Sequence, residues 1–190
     1  MCGGLPVINV GTRDLRGCKF QQVSGIFNST SNYVLSEIEN NKTAEQAIKE
    51  AQDIGIAEAD PSLDIEGYDT ANKLVIITNS VMGHSCTLKD VDITGIQNIT
   101  REMVVAAKEK GEVIRLVATS TVDPNDCTKV AMSVKPMNVP KTSFFGQCGD
   151  TSMCVRFETD IFEEIELKTK EKGVYPTSAA VLRDCFDICD

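Results

Sequence analysis

The feature that most constrains the fold is a change of hydrophobic periodicity at Gly111. Before this glycine, apolar residues recur every three to four positions, which is typical of amphipathic helices. After it, short apolar runs alternate with turn sequences such as Asp-Pro-Asn and Gly-Gln-Cys-Gly-Asp, which indicate strands joined by hairpins. Helices followed by a block of strands favour an α+β fold, with a mixed, mostly antiparallel sheet that helices cover on one face.

Capping residues set the expected boundaries of the first elements. A strand is predicted at residues 20–26, and the polar residues 28–31 then cap a helix. Thr43 and Gln46 form a capping box for a second helix, which Gly55 ends. The remaining helices are predicted at residues 68–82 and 100–110 and from residue 177, and the remaining strands at residues 113–121, 129–135, 153–159 and 164–169.

Composition narrows the choice of partners. The 190 residues carry a formal net charge of −9 without a basic block, which argues against nucleic acid or an anionic membrane surface as the main partner. No apolar run approaches the roughly 18 residues of a membrane helix, and no leader pattern opens the chain. We therefore expect one domain or two small ones, in the cytoplasm, with a small molecule as substrate.

The eight cysteines do not favour a metal site. None forms C-x-x-C, and His84, the only histidine, is expected in a turn at the end of a helix. Cys185 and Cys189 stand four apart on one helix face, which predicts a half-buried stripe rather than a redox pair. Without a secretion signal, reduced thiols are expected.

The strongest candidate site is the carboxylate loop, residues 55–67, together with the helix that follows. Asp69 and Lys73 share one face of that helix, and the loop adds Glu58 and Asp64. Such a cluster suits the binding of a substrate ammonium and the transfer of a proton. A solvated acidic loop beside an ordinary surface ion pair is the alternative. The apolar stripe expected to face the core comprises Tyr68, Ala71, Val75, Thr78 and Met82.

Three stretches resemble homoserine dehydrogenase, in its substrate-binding and dimerising domain. The resemblance extends from the Gly-Gly-Leu-Pro hinge at residues 3–6 to the Pro-Thr-Ser-Ala-Ala helix that begins at residue 176, nearly the whole chain. The stretches are Gly-Ile-Phe-Asn-Ser-Thr-Ser-Asn-Tyr-Val-Leu (25–35), Gly-Ile-Ala-Glu-Ala-Asp-Pro (55–61) and Asp-Ile-Glu-Gly-Tyr-Asp-Thr-Ala-Asn-Lys-Leu (64–74).

The resemblance implies NAD(P)-dependent interconversion of L-homoserine and L-aspartate 4-semialdehyde, in the route to threonine and methionine. It also implies the site roles, which the residues alone leave open. Glu58 would bind the substrate ammonium, and Thr30 with the Asn28-Ser29-Thr30 turn would hold the carboxylate end. Asp64, Asp69 and Lys73 would orient the reacting hydroxyl, with Lys73 carrying the proton. Gly4 and Pro6 would face the cofactor.

The resemblance further implies one domain at residues 1–190, a hinge at residues 1–20 and a helix at 177–190 that packs on a nucleotide-binding domain. The sequence lacks the G-x-G-x-x-G fingerprint of that domain, so NAD or NADP would be bound mainly by a separate chain or a lost segment. Ser29 and residues 168–173 replace glycines of the family. Two hypotheses follow: the substrate half of a homodimeric enzyme, or a degenerate, non-catalytic dimerising module that holds an amino acid.

Overall fold

The structure, a computed structural model, describes residues 2–171, 173 and 175–189, and within them seven α-helices and a six-stranded sheet. The helices are Val7–Asn9 (α1), Ser29–Glu39 (α2), Ala44–Asp53 (α3), Ser62–Ile65 (α4), Tyr68–Val81 (α5), Arg101–Glu109 (α6) and Tyr175–Cys189 (α7). The strands are Phe20–Ile26 (β1), Val91–Ile93 (β2), Glu112–Asp123 (β3), Asp126–Pro140 (β4), Ser152–Thr159 (β5) and Ile165–Lys170 (β6).

The strands form one sheet in the order β2-β4-β3-β1-β5-β6. β1 lies in its centre, antiparallel to β3 and to β5, with Gly25 opposite Ala118 on one side and Val155 on the other. The β3–β4 and β5–β6 pairs are antiparallel hairpins, and β2 alone pairs in parallel, with β4. The expected mixed, mostly antiparallel sheet is therefore confirmed.

The two faces of the sheet differ in chemistry. On β3, Ile114, Leu116 and Ala118 alternate onto the face that packs against the helices, where they join the main core. On the other face, the Gln22 side chain of β1 accepts a hydrogen bond from Thr121 Oγ1 and donates one to Glu158 Oε1, both at 2.8 Å. This face also carries a small buried cluster of Ile26, Cys148 and Cys154, against which Phe144 and Phe145 pack. The helices therefore cover one side of the sheet, and the segment before β5 covers part of the other.

The helical core face of α5 is rotated relative to the predicted stripe. Ala71 and Thr78 are buried as expected, whereas Tyr68 is 39% exposed. Leu74 and Ile77, which the predicted stripe omits, are fully buried against the sheet. Val75 and Met82 of the predicted stripe are only partly buried, so the inward face of the helix is shifted toward Leu74 and Ile77.

Four further details differ from the sequence-based expectations. The carboxylate loop contains the one-turn helix α4, and residues 7–14 are helical, with π-helical geometry from Val10 to Asp14. Cys185 and Cys189 are exposed on α7, so the expected half-buried stripe is wrong. β2 falls in a segment for which no element was predicted. Three residues of predicted segments lie outside the described residues: Met1 of the hinge, Lys172 of the 168–173 segment and Asp190 of the last helix.

All eight cysteines are free thiols. Among the residues that the structure describes, no group of three or more His, Cys, Asp and Glu side chains is arranged to hold a metal ion. Within the same ranges, none of the helices combines the length and the apolarity that crossing a membrane requires.

Candidate active site

The site is built on the junction between β1 and α2. β1 ends at Ile26, and Asn28, in extended conformation, is the N-cap of α2. Its Oδ1 accepts a hydrogen bond from the Ser31 N–H at 2.8 Å, which satisfies one of the free amides of the first helical turn. The cap fixes the orientation of the Asn28 side chain, since its carbonyl oxygen is directed into the helix and its amide nitrogen points away from it.

The amide nitrogen of Asn28 joins two carboxylates. It donates to Asp64 Oδ1 at 2.6 Å and to Asp69 Oδ2 at 2.7 Å. Asp64 lies on α4 and Asp69 in the first turn of α5, and Gly67, at φ +86°, forms the turn between these two helices. Only glycine adopts this conformation without strain, so the tight approach of the two carboxylates depends on it.

Lys73 completes the network one helical turn after Asp69. Its ammonium contacts Asp69 Oδ2 at 2.7 Å and donates to the backbone carbonyl of Phe27 at 2.9 Å. The side chain is 19% exposed and borders a cavity of about 870 Å³, here called the site cavity. Because an ammonium has three protons and two are directed at these partners, one is left for a group in the cavity.

Burial raises the pKa of Asp64 above its ordinary value. The negative charge of Asp69 raises it further, while the hydrogen bond from Asn28 and the positive charge of Lys73 oppose the shift. The two carboxylates and the lysine are therefore electrostatically coupled, with Asn28 as the neutral group that allows the carboxylates to lie close together.

The other predicted substrate contacts are only partly brought to this network. Ser29 lines the site cavity, and Thr30 Oγ1 donates at 3.1 Å to the carbonyl of Ile56, which also lines it. Glu58 is exposed, and its carboxylate has no hydrogen-bond or ion-pair partner among the described residues. Its backbone carbonyl accepts a hydrogen bond from Gln52 Nε2 at 3.2 Å, so its loop is held to α3.

The predicted cofactor-facing residues lie at the N-terminal segment. The Gly4 N–H donates to Glu171 Oε1 at 2.6 Å. A Cβ on Gly3, at φ +54°, would lie 2.3 Å from the same carboxylate, which therefore fills the space beside both glycines. Pro6 lines a separate cavity of about 430 Å³ between this segment and α7.

The opposite wall of the site cavity is formed by residues outside the predicted site. They come from the end of the loop before β5, from β5 itself and from the end of β6, and they include Asp150, Thr151, Met153, Lys170 and Glu171. The sequence signals there were the Gly-Asp turn, which indicates a hairpin connection rather than a site, and the replacement of the family's glycines at residues 168–173.

A profile of homoserine dehydrogenase matches residues 6–186. The chain belongs to the homoserine dehydrogenase family. The homoserine dehydrogenase of Methanocaldococcus jannaschii is 37% identical over 98% of this chain and 53% of its own length. The crystal structure of the Thiobacillus denitrificans homoserine dehydrogenase superposes with a TM-score of 0.91 at 31% identity, covering 98% of this chain and 43% of that one. A Pseudomonas canavaninivorans relative, named as an NAD(+)-dependent homoserine dehydrogenase, is 28% identical over 97% of this chain and 52% of its own length.

This homoserine dehydrogenase family member spans about half the length of the curated relatives it matches. The site cavity beside Lys73, about 870 Å³, is larger than a small amino acid requires. A diphosphate does not fit at Gly3-Gly4, because Glu171 occupies the Gly4 N–H and a second negative charge there would be repelled.

Proposed function

We propose that this chain is the substrate-binding part of a homoserine dehydrogenase, which interconverts L-homoserine and L-aspartate 4-semialdehyde with NAD or NADP. The observation that carries the proposal is the Asn28, Asp64, Asp69 and Lys73 network at the edge of a cavity of suitable size. The proposed setting is the cytoplasmic route to threonine and methionine.

Lys73 is proposed to move the proton. Bound NAD(P) supplies the hydride acceptor or donor, and the hydroxyl oxygen of the substrate must lose or gain a proton as the hydride transfers. During aldehyde reduction, the free N–H of Lys73 donates to the oxygen on which negative charge develops. During homoserine oxidation, the same nitrogen, as the neutral amine, accepts the hydroxyl proton and becomes the ammonium. Asp69, 2.7 Å from the ammonium, and the Phe27 carbonyl hold the nitrogen in place for either direction.

The charged end of the substrate is proposed to lie away from Lys73. By family resemblance, Glu58 binds the ammonium and the turn of Asn28, Ser29 and Thr30 lies at the carboxylate end. Within this turn Ser29 is the member that lines the site cavity, so we assign it the direct contact. Asn28 instead positions the two carboxylates.

We also propose a homodimer and a nucleotide-binding unit supplied by another part of the protein or another chain. The sheet has open edges at β2 and β6, and unpaired strand edges favour pairing between copies. On α7, the exposed apolar residues Val181, Leu182 and Phe186 support packing against a further domain.

The test is homoserine-dependent reduction of NAD(P), measured for the chain alone and with a nucleotide-binding domain supplied. We expect turnover only with the supplied domain, and no saturable NADPH binding in a fluorescence titration of the chain alone. Homoserine binding without turnover under any condition would favour the non-catalytic module. Absence of both homoserine binding and turnover would refute the proposal.

A further inference from the structure

The hydrogen-bond donors described above do not satisfy all the acceptor sites of the substrate carboxylate. Both amide protons of Asn28 are directed at Asp64 and Asp69. The single hydroxyl proton of Thr30 is directed at chain acceptors, the Ile56 carbonyl at 3.1 Å and the neighbouring Asp64 carboxylate. A carboxylate accepts up to four hydrogen bonds, and leaving it poorly paired in a partly enclosed cavity is costly. Ser29, the member of the turn that lines the site cavity, has one hydroxyl proton to donate, and Lys73 is proposed to face the reacting hydroxyl instead. A cation elsewhere in the cavity would complete the pairing of the carboxylate.

Lys170 meets this requirement. Lys73 and Lys170 are the cations that line the site cavity in the described part of the chain. Lys170 Nζ lies 3.0 Å from Asp150 Oδ2, and both side chains reach solvent, with exposures of 71% and 49%. Exposed ion pairs contribute about 0–1 kcal/mol, so a ligand that supplies the opposite charges can separate this pair at little cost. The α-ammonium and α-carboxylate of an amino acid are two such adjacent charges.

The loop that carries Asp150 is held more firmly than a passive hairpin requires. Asp150 has a left-handed backbone with φ +61°, and its N–H donates to Ser36 Oγ at 2.8 Å. The fully buried Asn32 donates to the carbonyls of Cys148 and Ser152, both at 3.0 Å, and so joins the two ends of the loop. Strained backbone and buried polar anchors occur together where a side chain must be positioned.

These anchors belong to the same helix that organises the catalytic network. Asn28, Asn32 and Ser36 recur at intervals of four on α2, hence along one face. Asn28 holds the wall with Asp64 and Asp69, while Asn32 and Ser36 hold the wall with Asp150. A single rigid helix thereby fixes the separation of the two walls.

We propose that Lys170 and Asp150 form the subsite for the charged end of the amino-acid substrate, with Lys170 binding the α-carboxylate and Asp150 the α-ammonium. The inference rests on the proposed function and names the recognition residues that function needs. Asp150 shares the ammonium with the proposed contact from Glu58, since an ammonium has three protons to donate.

The experiment is calorimetric titration of the chain with L-homoserine, with 4-hydroxybutanoate, which lacks the ammonium, and with 3-aminopropan-1-ol, which lacks the carboxylate. The variants are Lys170→Met and Asp150→Asn. The matched control is Lys129→Met, because Lys129 and Asp126 form an ion pair of the same 3.0 Å length, with exposures of 72% and 37%, and neither residue lines the site cavity. Melting temperatures confirm that all variants fold.

We expect Lys170→Met to lower the binding affinity for L-homoserine and 4-hydroxybutanoate about tenfold and to leave the affinity for 3-aminopropan-1-ol unchanged. Asp150→Asn is expected to lower the affinity for L-homoserine and 3-aminopropan-1-ol about tenfold and to leave the affinity for 4-hydroxybutanoate unchanged. If the parent chain binds L-homoserine and both variants match the control, the subsite is refuted and the proposed function stands. If the parent chain binds none of the three ligands, the subsite is refuted, and the turnover assay with a supplied nucleotide-binding domain decides the proposed function.

Discussion

Asn28 is the residue on which the organisation of the site most depends, and its replacement by alanine has a calculable cost. The change removes the helix cap to Ser31, which contributes about 1 kcal/mol. It also removes two hydrogen bonds to carboxylates, which contribute about 1.5 kcal/mol each at the lower end of the usual range. In the variant, water replaces part of the lost hydrogen bonding at the partly exposed Asp69. We therefore expect the free energy of unfolding to fall by about 3 kcal/mol.

Asn28→Asp separates the two contributions. An aspartate keeps the oxygen that accepts from Ser31, so the cap survives, but it removes both donors and places a third carboxylate beside Asp64 and Asp69. Mutual repulsion raises the pKa of one carboxyl in the folded state. The protonated carboxyl stabilises the fold at pH values below its pKa in the folded state. This stabilisation is lost as pH rises through that pKa. The stability deficit of Asn28→Asp should therefore be largest at neutral pH and shrink as pH falls toward 4.

Urea unfolding followed by circular dichroism, at pH 5 and pH 7.5, measures both effects. Thr43→Ala is the matched control, because Thr43 caps α3 by accepting from the Gln46 N–H at 3.2 Å and contacts no carboxylate of the site. It should cost about 1 kcal/mol at both pH values. An Asn28→Ala variant no less stable than Thr43→Ala would refute the claim that Asn28 holds the two carboxylates together.

Four further outcomes are expected. With a nucleotide-binding domain supplied, Lys73→Ala and Asp69→Ala should each lower kcat by roughly 10²-fold or more, whereas Glu58→Ala should mainly raise KM, as steady-state kinetics will report. Asp64→Asn should unfold at higher urea than the parent at pH 7 and equally at pH 3, because burial raises the pKa of Asp64 and its ionised form disfavours the fold. Arg115→Met should lower the free energy of unfolding by about 3 kcal/mol, since it leaves Glu39 without its buried partner. Sedimentation at tens of micromolar should show a dimer, and a strict monomer would contradict the proposed assembly.

The sequence by itself determined the local elements of the site. The capping box at Thr43 and a cap within residues 28–31, formed by Asn28, were predicted and are present, because each depends on a side chain and an amide only three residues apart. The contact of Asp69 with Lys73 was likewise predictable from their spacing on one helix. The family was also apparent in the sequence, from motifs that lie in these same segments.

Tertiary structure decided which face of α5 is buried. Tyr68 fits the helical period of the predicted stripe, yet it lies partly exposed while Leu74 and Ile77 fill the core. Several helical faces of this segment are apolar enough to be buried, and hydrophobic periodicity does not choose among them. The choice is made by the sheet, since β3 presents Ile114, Leu116 and Ala118 to that side. Tertiary structure also decided the short strand β2, because its three residues become a strand only by pairing with β4.

Tertiary structure alone also brought the two walls of the site cavity together. Asn28 contacts Asp64 and Asp69 across 36 and 41 residues of sequence, and Asn32 reaches Ser152 across 120. No local propensity encodes such separations, because the entropy of closing these loops is offset by the packing of the whole domain rather than by the contacts themselves. The residues proposed to move a proton could thus be named from the sequence, while the contact of Lys170 with Asp150 and their place in one cavity with Lys73 became visible only in the folded chain.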